Sequence, residues 1–273
     1  MFFITFLKMT TWQWQTWQGK PYLTCSLLDP FSHGFFTRQF RPDTPRELVR
    51  VLDAEATAYR TQQVHGRAIA RTCHLEPLAS ETVADLQPAD GILTHPDGNT
   101  KESVWVCSAD CTPVLIADVR RGCVSAIHAG WRGTAAKIVP EAIAAFREGG
   151  SRHEDLRVAL GPAISGDLYQ VSSDVAVRVG RSIVAVRDDT SDDEILQQVS
   201  TLPDSPVLPD SEPGKVRLDV RQAIRLQLDR LNISPEQIAV SSDCTYQQSD
   251  RFFSYRRTGE KKVQWSGIVS QGS

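Results

Sequence analysis

The sequence predicts an α/β fold of the mixed α+β kind, in which mixed β-sheets are flanked by helices within a single domain. Runs of β-branched residues and amphipathic helical segments alternate along the chain, and there is no internal repeat. The 273 residues are 41% hydrophobic and 23% charged, as expected for a folded domain with a sizeable core. We therefore expect residues 1–273 to form one domain.

The N-terminal part is predicted to contain short strands followed by a helix. Residues 12–40 have the pattern of short strands and turns. The helix should begin at Thr44-Pro45-Arg46-Glu47, which offers a capping threonine, a proline at the first helical position and a capping-box glutamate. Its apolar face is predicted to contain Leu48, Val51, Leu52, Ala56 and Tyr59. Segments 62–66 and 90–94 are then expected to be β-like.

The central part is predicted to contain three strands and a helix. The β-rich runs 104–108 and 114–117 lie on either side of Pro113, which should interrupt a regular ladder because proline has no N–H. Residues 123–128 are the next predicted strand. Segment 129–134 contains two glycines and is expected to be a loop that leads into a helix through residues 141–147.

The C-terminal part begins with an unusual segment. Residues 187–215 are acidic and contain four prolines, so we predict a surface insertion there. A mostly one-sided apolar pattern predicts a helix over 218–231, and Ser234-Pro235 should start a short helical turn. Strands are expected at 238–240 and 252–255.

Composition excludes several classes of protein. The net charge of −3 at pH 7 argues against binding nucleic acid through bulk positive charge. No apolar run reaches the roughly 18 residues of a membrane span, so we expect neither a nucleic-acid nor a membrane partner. Residues 1–7 are too short and too poor in basic residues for a secretory signal, and Met9 is an alternative start. We expect a cytoplasmic protein with six reduced cysteines.

The segment from Cys111 to His128 permits a geometric prediction. If residues 114–117 and 123–128 form an antiparallel hairpin in which Ala117 opposes Gly122, the same register places Cys111 opposite His128. Their Cβ atoms would then be about 5 Å apart. A bulge, or an early end of pairing at Pro113, would change this register.

A cysteine beside a histidine has two chemical uses. The imidazole can activate the thiolate as a nucleophile, or both side chains can bind a metal such as zinc. His65 is the best candidate for a third ligand, and three protein ligands plus water are typical of catalytic zinc. Because compact CxxC and HExxH spacings are absent, the residues alone leave both uses open, as well as ordinary packing.

Two segments carry candidate anion-binding groups. Backbone amides after Gly130, together with Arg132, can hold a phosphate, although the segment lacks the lysine of a P-loop, and a tight turn with a structural arginine is the alternative. Phe252-Phe253-Ser254-Tyr255-Arg256-Arg257 combines aromatic rings with guanidinium groups, and its simpler interpretation is an amphipathic strand with a solvated end.

A set of motifs in a fixed order carries a family resemblance from about Gly34 to the end of the chain. They are Gln63-Val64-His65, Ala89-Asp90-Gly91, Ala109-Asp110-Cys111-Thr112-Pro113-Val114, Ile127-His128-Ala129-Gly130-Trp131-Arg132-Gly133, Gly161-Pro162-Ala163-Ile164, Cys244-Thr245-Tyr246 and Phe253-Ser254-Tyr255-Arg256-Arg257. The chain resembles the purine nucleoside phosphorylase family formerly called polyphenol oxidase or multicopper laccase-like, also named peptidoglycan editing factor.

The resemblance implies a fold, a cofactor and site residues. It implies a single catalytic α/β domain similar to the cytotoxic-necrotizing-factor-like cysteine hydrolases. It implies a zinc ion bound by His65, Cys111 and His128, and phosphate or ribose contacts at Arg38 and Arg256. The chain departs from the family pattern at Gln39-Phe40, at Ala163 and Ser165, and at Thr258-Gly259-Glu260. These departures leave the three metal-ligand positions intact and affect the expected substrate contacts.

The leading hypothesis is a zinc-dependent purine nucleoside phosphorylase that acts on adenosine, inosine and S-methyl-5'-thioadenosine and also deaminates adenosine. Nucleoside and phosphate would be its partners, with Arg38, Arg132 or Arg256 holding the anion and Asp110 as a candidate for proton transfer. One alternative is a cysteine hydrolase or amidase that edits peptidoglycan precursors, with Cys111 as nucleophile and His128 as base. Another is a non-catalytic zinc-holding protein.

A laccase is disfavoured because multicopper oxidation needs many imidazoles. The chain has six histidines and no His-x-His pair.

Overall fold

The computed structural model describes residues 10–78, 86–95, 100–187 and 189–272, which form a mixed α+β architecture of several sheets and helices. The expectations about residues 1–7 and Met9 lie outside this part of the chain. Within it, no helix is both long and apolar enough to cross a membrane.

The strands belong to three sheets. They are β1 (Trp12–Trp17), β2 (Lys20–Cys25), β3 (His33–Phe36), β4 (Thr57–Arg60), β5 (Ile69–Arg71), β6 (Gly91–Leu93), β7 (Glu102–Ser108), β8 (Thr112–Asp118), β9 (Val124–Ala129), β10 (Leu156–Leu160), β11 (Gln170–Ser172), β12 (Val207–Pro209), β13 (Lys215–Leu218), β14 (Ile238–Val240) and β15 (Gln264–Val269). The strand orders are β1-β2-β3-β15-β7-β4, β14-β10-β8-β9-β6-β5 and β11-β13-β12. Parallel and antiparallel pairs occur together in both six-stranded sheets, as predicted.

The helices lie between and around these strands. They are α1 (Pro45–Leu52), α2 (Trp131–Ala135), α3 (Ile138–Glu148), α4 (Ser173–Gly180), α5 (Asp192–Ser200), α6 (Val220–Arg230) and α7 (Tyr255–Thr258).

The core is layered, and β8 shows how. All seven residues of β8 are buried, because alternate side chains point to opposite faces of the sheet and both faces are covered. Val114 and Ile116 pack with residues of α3 and α6. Leu115 and Ala117 pack instead against the other six-stranded sheet. The outer face of the sheet β1-β2-β3-β15-β7-β4 is covered by α1. The sheet β14-β10-β8-β9-β6-β5, which contains β8, is therefore the central layer of the molecule.

The predicted start of α1 is confirmed, but its predicted length is wrong. The Glu47 carboxylate accepts the backbone N–H of Thr44 at 2.9 Å, as a capping box requires, and it also accepts the Thr44 hydroxyl at 2.6 Å. The helix ends at Leu52 because the Asp53 carboxylate accepts the N–H of Glu55, a local bond that competes with helix continuation. Ala56 and Tyr59 therefore lie outside the helix.

The hairpin of β8 and β9 exists, but the predicted register is wrong by two residues. Pro113, not Cys111, lies opposite His128. The turn is shifted because Gly122 takes φ +72° inside the loop, while the Asp118 carboxylate accepts the N–H groups of the two arginines that follow Val119. A shift of two residues keeps side chains on the same face, so Cys111 and His128 still point to the same side.

The ladder is not interrupted at Pro113, contrary to the expectation. Pro113 is the second residue of β8, and its carbonyl accepts the N–H of Gly161 just beyond the end of β10. The missing N–H of the proline therefore falls where pairing with β10 has already ended.

Three further local predictions need correction. Residues 62–66 are a loop with one bridge, from Gln62 to Pro88, because backbone bonds to a buried carboxylate replace strand pairing. The helix α2 starts at Trp131, inside the predicted loop. Segment 252–255 is not a strand, because the Ser254 side chain caps α7.

The predicted surface insertion 187–215 contains regular structure. It includes α5 and β12, and Ile195, Val199 and Val207 are buried in the core. Its interpretation as an insertion stays a prediction.

Candidate functional site

Three side chains predicted to bind a metal converge at one end of the central sheet. His65, Cys111 and His128 each offer one ligand atom, and these atoms lie within 4.8 Å of one another. The two imidazole rings are nearly perpendicular, with centroids 4.8 Å apart. His128 is buried, Cys111 is half-buried and His65 is exposed, so the cluster opens to solvent on the His65 side.

The ring of His128 is held by a buried carboxylate. His128 lies on β9, and its Nδ1 is 2.8 Å from Oδ1 of Asp90, which has no exposed surface. The backbone N–H of His128 also donates to the Asp90 carbonyl at 2.7 Å. Nδ1 therefore faces the carboxylate, and Nε2 is left as the ring nitrogen that can bind a metal.

The same carboxylate shapes the loop that carries His65. Asp90 accepts the backbone N–H groups of Val64, His65 and Gly66 at 3.0, 2.9 and 2.7 Å. These bonds allow His65 to hold a positive φ of 59°, which is uncommon for a residue other than glycine. The Gln63 side chain adds two bonds of 2.8 Å to the backbone of Cys107, on β7.

Asp90 is the functional residue that reasoning from spacing missed. The Ala89-Asp90-Gly91 motif contributed to the family resemblance, but its position before a short strand does not reveal which groups the carboxylate contacts. One buried side chain orients both histidines, one through its ring and the other through its backbone.

Cys111 lies directly before β8 and directly after a residue with unusual backbone geometry. Asp110 has φ +96°, and its two carboxylate oxygens accept the Thr245 hydroxyl and the backbone N–H of Arg256, both at 2.7 Å. The Asp110 carbonyl accepts the N–H of Ile164 at 3.0 Å. Because both oxygens are engaged in the fold, Asp110 is better suited to position Cys111 than to carry a proton.

Electrostatics favour a thiolate beside a protonated imidazole. Burial opposes ionisation of Cys111, but hydrogen bonds with His128 and His65 outweigh it and lower the pKa of the thiol to about 6. Burial also opposes the charge on His128, yet Asp90 and Cys111 raise the pKa of that ring to about 9. The thiolate is the form of cysteine that binds metals and attacks electrophiles.

The cluster fits a metal ion in donor type and in space. Two imidazoles and a thiolate are ligands that suit zinc, and three protein donors leave a fourth position open. Gly130 keeps the space free, since a Cβ there would lie 2.9 Å from Sγ of Cys111 and 3.4 Å from Cδ2 of His65. Among the described residues, no other group of three or more His, Cys, Asp or Glu side chains lies close enough together to hold an ion.

The three predicted anion-binding arginines have a common arrangement. Each guanidinium lies over an aromatic ring, Arg38 over Phe253 at 4.6 Å, Arg132 over Trp131 at 4.5 Å and Arg256 over Tyr169 at 4.9 Å. Within the part of the chain that the structure describes, none of the three forms an ion pair with a carboxylate.

The three arginines differ in how they relate to the metal-ligand cluster. Arg256 is bonded through its backbone to Asp110, next to Cys111. Arg132 lies on α2, two residues after Gly130. Arg38 contacts the C-terminal segment, where it donates to the Ser249 carbonyl at 2.6 Å.

Tyr169 is a second residue that the sequence did not indicate. It is half-buried, and burial together with the charge of Cys111 raises the pKa of its hydroxyl to about 12, although Arg256 and Arg132 act in the opposite direction. The ring that supports Arg256 therefore lies within the electrostatic reach of both the metal-ligand cluster and the arginines.

Comparisons with known proteins agree on one family. Residues 43–270 match the model of a family described as multi-copper polyphenol oxidoreductase laccase. Purine nucleoside phosphorylase slr1573 of Synechocystis sp. is 51% identical over 261 residues, which are 95% of this chain and 97% of that protein. Adenosine deaminase RL5 of an unknown prokaryotic organism is 27% identical over 179 residues, or 66% of this chain and 61% of that protein.

A solved structure shows the same fold. The crystal structure of YlmD from Geobacillus stearothermophilus matches with a TM-score of 0.76 at 23% identity, covering 95% of this chain and 99% of that one. At this identity the likeness concerns the fold alone.

Proposed function

The chain belongs to the family described as multi-copper polyphenol oxidoreductase laccase, and on that basis we propose that it is a zinc-dependent purine nucleoside phosphorylase with adenosine deaminase activity. The proposed substrates are adenosine, inosine and S-methyl-5'-thioadenosine, with phosphate as the second substrate. The names of the similar proteins support nucleoside chemistry. We also propose that the chain is a single catalytic domain.

The observation that carries this proposal is the convergence of His65, Cys111 and His128 with one side open to solvent. The donor set favours zinc over a multicopper centre, because copper oxidation needs many more imidazoles. His33 does not add a further imidazole to the donor set, because both of its ring nitrogens are engaged in the fold. One accepts the N–H of Cys25 and the other contacts the Phe31 carbonyl.

In the proposed mechanism, His65, Cys111 and His128 hold the metal, while Asp90 fixes the orientation of both histidines. When bound, zinc supplies Lewis acidity and lowers the pKa of coordinated water to near neutrality. For phosphorolysis, Arg256 binds phosphate by charge-assisted hydrogen bonds. With adenosine or inosine, a phosphate oxygen forms a bond to the anomeric carbon of the ribose as the glycosidic bond breaks. The electron pair of that bond leaves with the purine nitrogen, which takes up the proton lost by hydrogen phosphate, giving the free purine and ribose 1-phosphate.

Arg132 and Arg38 are proposed as further phosphate or ribose contacts. Their guanidinium groups carry no carboxylate partner among the described residues, which leaves N–H groups for an anion.

The test is product analysis with metal-loaded protein. Adenosine plus phosphate should give adenine and ribose 1-phosphate, with a smaller amount of inosine from deamination. Cys111→Ser should lose both products together with the metal. Fully metallated wild-type protein that forms neither product would contradict the proposed activity and would favour the non-catalytic zinc-holding protein.

One observation favours a second candidate function, the cysteine hydrolase that edits peptidoglycan precursors. The lowered pKa of Cys111 beside a protonated His128 is also what a nucleophile–base pair requires. The implied likeness to cytotoxic-necrotizing-factor-like hydrolases stays a prediction that belongs with this alternative. A hydrolase should work without metal and be inactivated by a thiol reagent at Cys111, whereas chelation should abolish the phosphorylase.

A further inference from the structure

Arg256 has an environment suited to binding an anion. Its side chain is exposed, and one of its terminal nitrogens donates to the Gln170 carbonyl at 2.8 Å. No carboxylate within the described ranges pairs with the guanidinium, so its other N–H groups remain available. Its backbone N–H is bonded to Asp110, the residue before Cys111, so the arginine is anchored beside the proposed metal ligands.

The ring of Tyr169 is a rigid platform for this guanidinium. The Arg256 Cζ lies 4.9 Å from the ring centroid. The backbone of Tyr169 is fixed on both sides, because its N–H donates to Gly166 at 3.2 Å and its carbonyl accepts from Leu218 at 3.0 Å. The ring also packs against the main hydrophobic core. The next residue, Gln170, begins β11 and supplies the carbonyl that Arg256 contacts.

A flexible arginine loses conformational entropy when it binds a ligand, and a side chain already held in place loses less. Here a ring beneath the guanidinium and a carbonyl at one nitrogen restrain it before any ligand arrives. Arg132 adds a second positive charge within electrostatic reach of Tyr169. The chemical class that fits is a small oxyanion with several acceptor oxygens, as inorganic phosphate is.

We propose that Tyr169 is a positioning residue for phosphate, whose ring and neighbouring Gln170 carbonyl hold Arg256 ready to bind the anion beside the metal-ligand cluster. This inference rests on the proposed function for its place in catalysis. It adds a residue that neither the family motifs nor the metal-ligand cluster assigns.

The experiment compares Tyr169→Leu, Tyr169→Phe, Arg256→Gln and the double variant Tyr169→Leu/Arg256→Gln at equal zinc content. Inorganic phosphate is titrated by calorimetry, and KM for phosphate and KM for adenosine are measured separately. Tyr169→Leu should weaken phosphate binding about fivefold, as expected for loss of a cation–π contact, and leave KM for adenosine within about twofold. Tyr169→Phe keeps the aromatic ring and should bind phosphate as tightly as the wild-type protein does. Trp12→Leu, on the edge strand β1, is the control for loss of a half-buried aromatic ring that packs against a hydrophobic core cluster.

The double variant shows whether Tyr169 acts through Arg256. Arg256→Gln should weaken phosphate binding by about tenfold or more, and adding Tyr169→Leu should then change it no further. Additive effects, or wild-type phosphate binding in Tyr169→Leu, would overturn the inference. The titration needs no turnover, so phosphate binding that depends on Tyr169 without nucleoside cleavage would refute the proposed reaction and leave this inference standing.

Discussion

Asp90 concentrates the control of the candidate site in one residue. Its carboxylate is completely buried and accepts three backbone N–H groups while it faces Nδ1 of His128. Burial alone would raise the pKa of Asp90, but the bonds to His128, Gly66 and Val64 outweigh it and lower the pKa. An ionised carboxylate behind a metal-binding histidine sets the tautomer of the ring and increases its basicity.

Replacement of this carboxylate should weaken metal binding in a protein that still folds. We expect Asp90→Asn to lower zinc affinity by about 10- to 100-fold, because the amide can present an N–H to Nδ1 and oppose the required tautomer. The measurement is competition with a chromophoric chelator at fixed pH. Asp53→Asn, which removes a half-buried carboxylate paired with the exposed Lys101, is the matched control. Equal affinities in the two variants would rule out this role for Asp90.

At the scale of elements, the hairpin of β8 and β9 depends on one glycine. Gly122 has φ +72°, and a Cβ there would lie 2.9 Å from Cβ of Gln271. Gly19 has a similar φ of +79° with nothing within 4 Å of the added atom. Alanine at Gly19 therefore introduces backbone strain alone, whereas alanine at Gly122 adds a steric conflict with Gln271.

Gly19→Ala should lower the free energy of unfolding by about 1–2 kcal/mol, the cost of a left-handed conformation for alanine. Gly122→Ala should lower it further, since Gln271 must move as well. Urea denaturation of the two variants gives the comparison. Zinc stoichiometry should not change in either, because Gly122 lies at the opposite end of the hairpin from Cys111 and His128, and Gly19 lies in the turn between β1 and β2. A smaller loss at Gly122 than at Gly19 would contradict the steric account.

Elements were predictable where their signals are local. The start of α1 follows from a capping box that involves four consecutive residues, and β8 and β9 follow from their composition. β15 was not predicted, although it lies between β3 and β7, because its pairing depends on residues far away in the chain. The metal-ligand trio was suggested by chemistry and by resemblance. Asp90 was missed as their support because its partners are 24 to 38 residues distant.

At the scale of the whole molecule, the layered core brings distant segments to one point. The central sheet supplies β9, which carries His128, and β8, which Cys111 directly precedes, while the loop after β4 supplies His65. The layers beside that sheet bury both of its faces, so these ends cannot shift freely. Tyr169, directly before β11, and Arg256, on α7, reach the same region.

The pH dependence of metal binding follows from the thiolate–imidazolium pair. Between about pH 6 and pH 9 the metal-free pair holds one proton, on His128. A metal that binds both donors displaces this proton, so affinity should rise about tenfold per pH unit across that window. Chelator competition at several pH values measures the slope. An affinity that stays constant from pH 7 to pH 8.5 would refute the proton count.

The stability of the metal-free protein should respond differently. The lowered pKa of Cys111 contributes stability that is lost as pH falls from the ordinary value of 9.0 to about 6. The raised pKa of His128 contributes stability that is lost as pH rises from 6.5 to about 9. Over their common range the two slopes cancel, because the folded and unfolded states each hold one proton. The pair should therefore add no pH dependence to urea denaturation between pH 6.5 and pH 9.

Metal removal tests whether the three segments are joined by a shared ion. Because His65, Cys111 and His128 come from separate segments, a metal that binds the native cluster stabilises the fold as a whole. Zinc at 100 times its dissociation constant should add about 2.7 kcal/mol, and chelation should lower Tm accordingly. Cys111→Ser should melt at one temperature with or without chelator, since it lacks the thiolate ligand. If wild-type Tm is also insensitive to chelation while zinc is bound and released, the ion does not join these segments, and the three side chains do not share one metal in the native state.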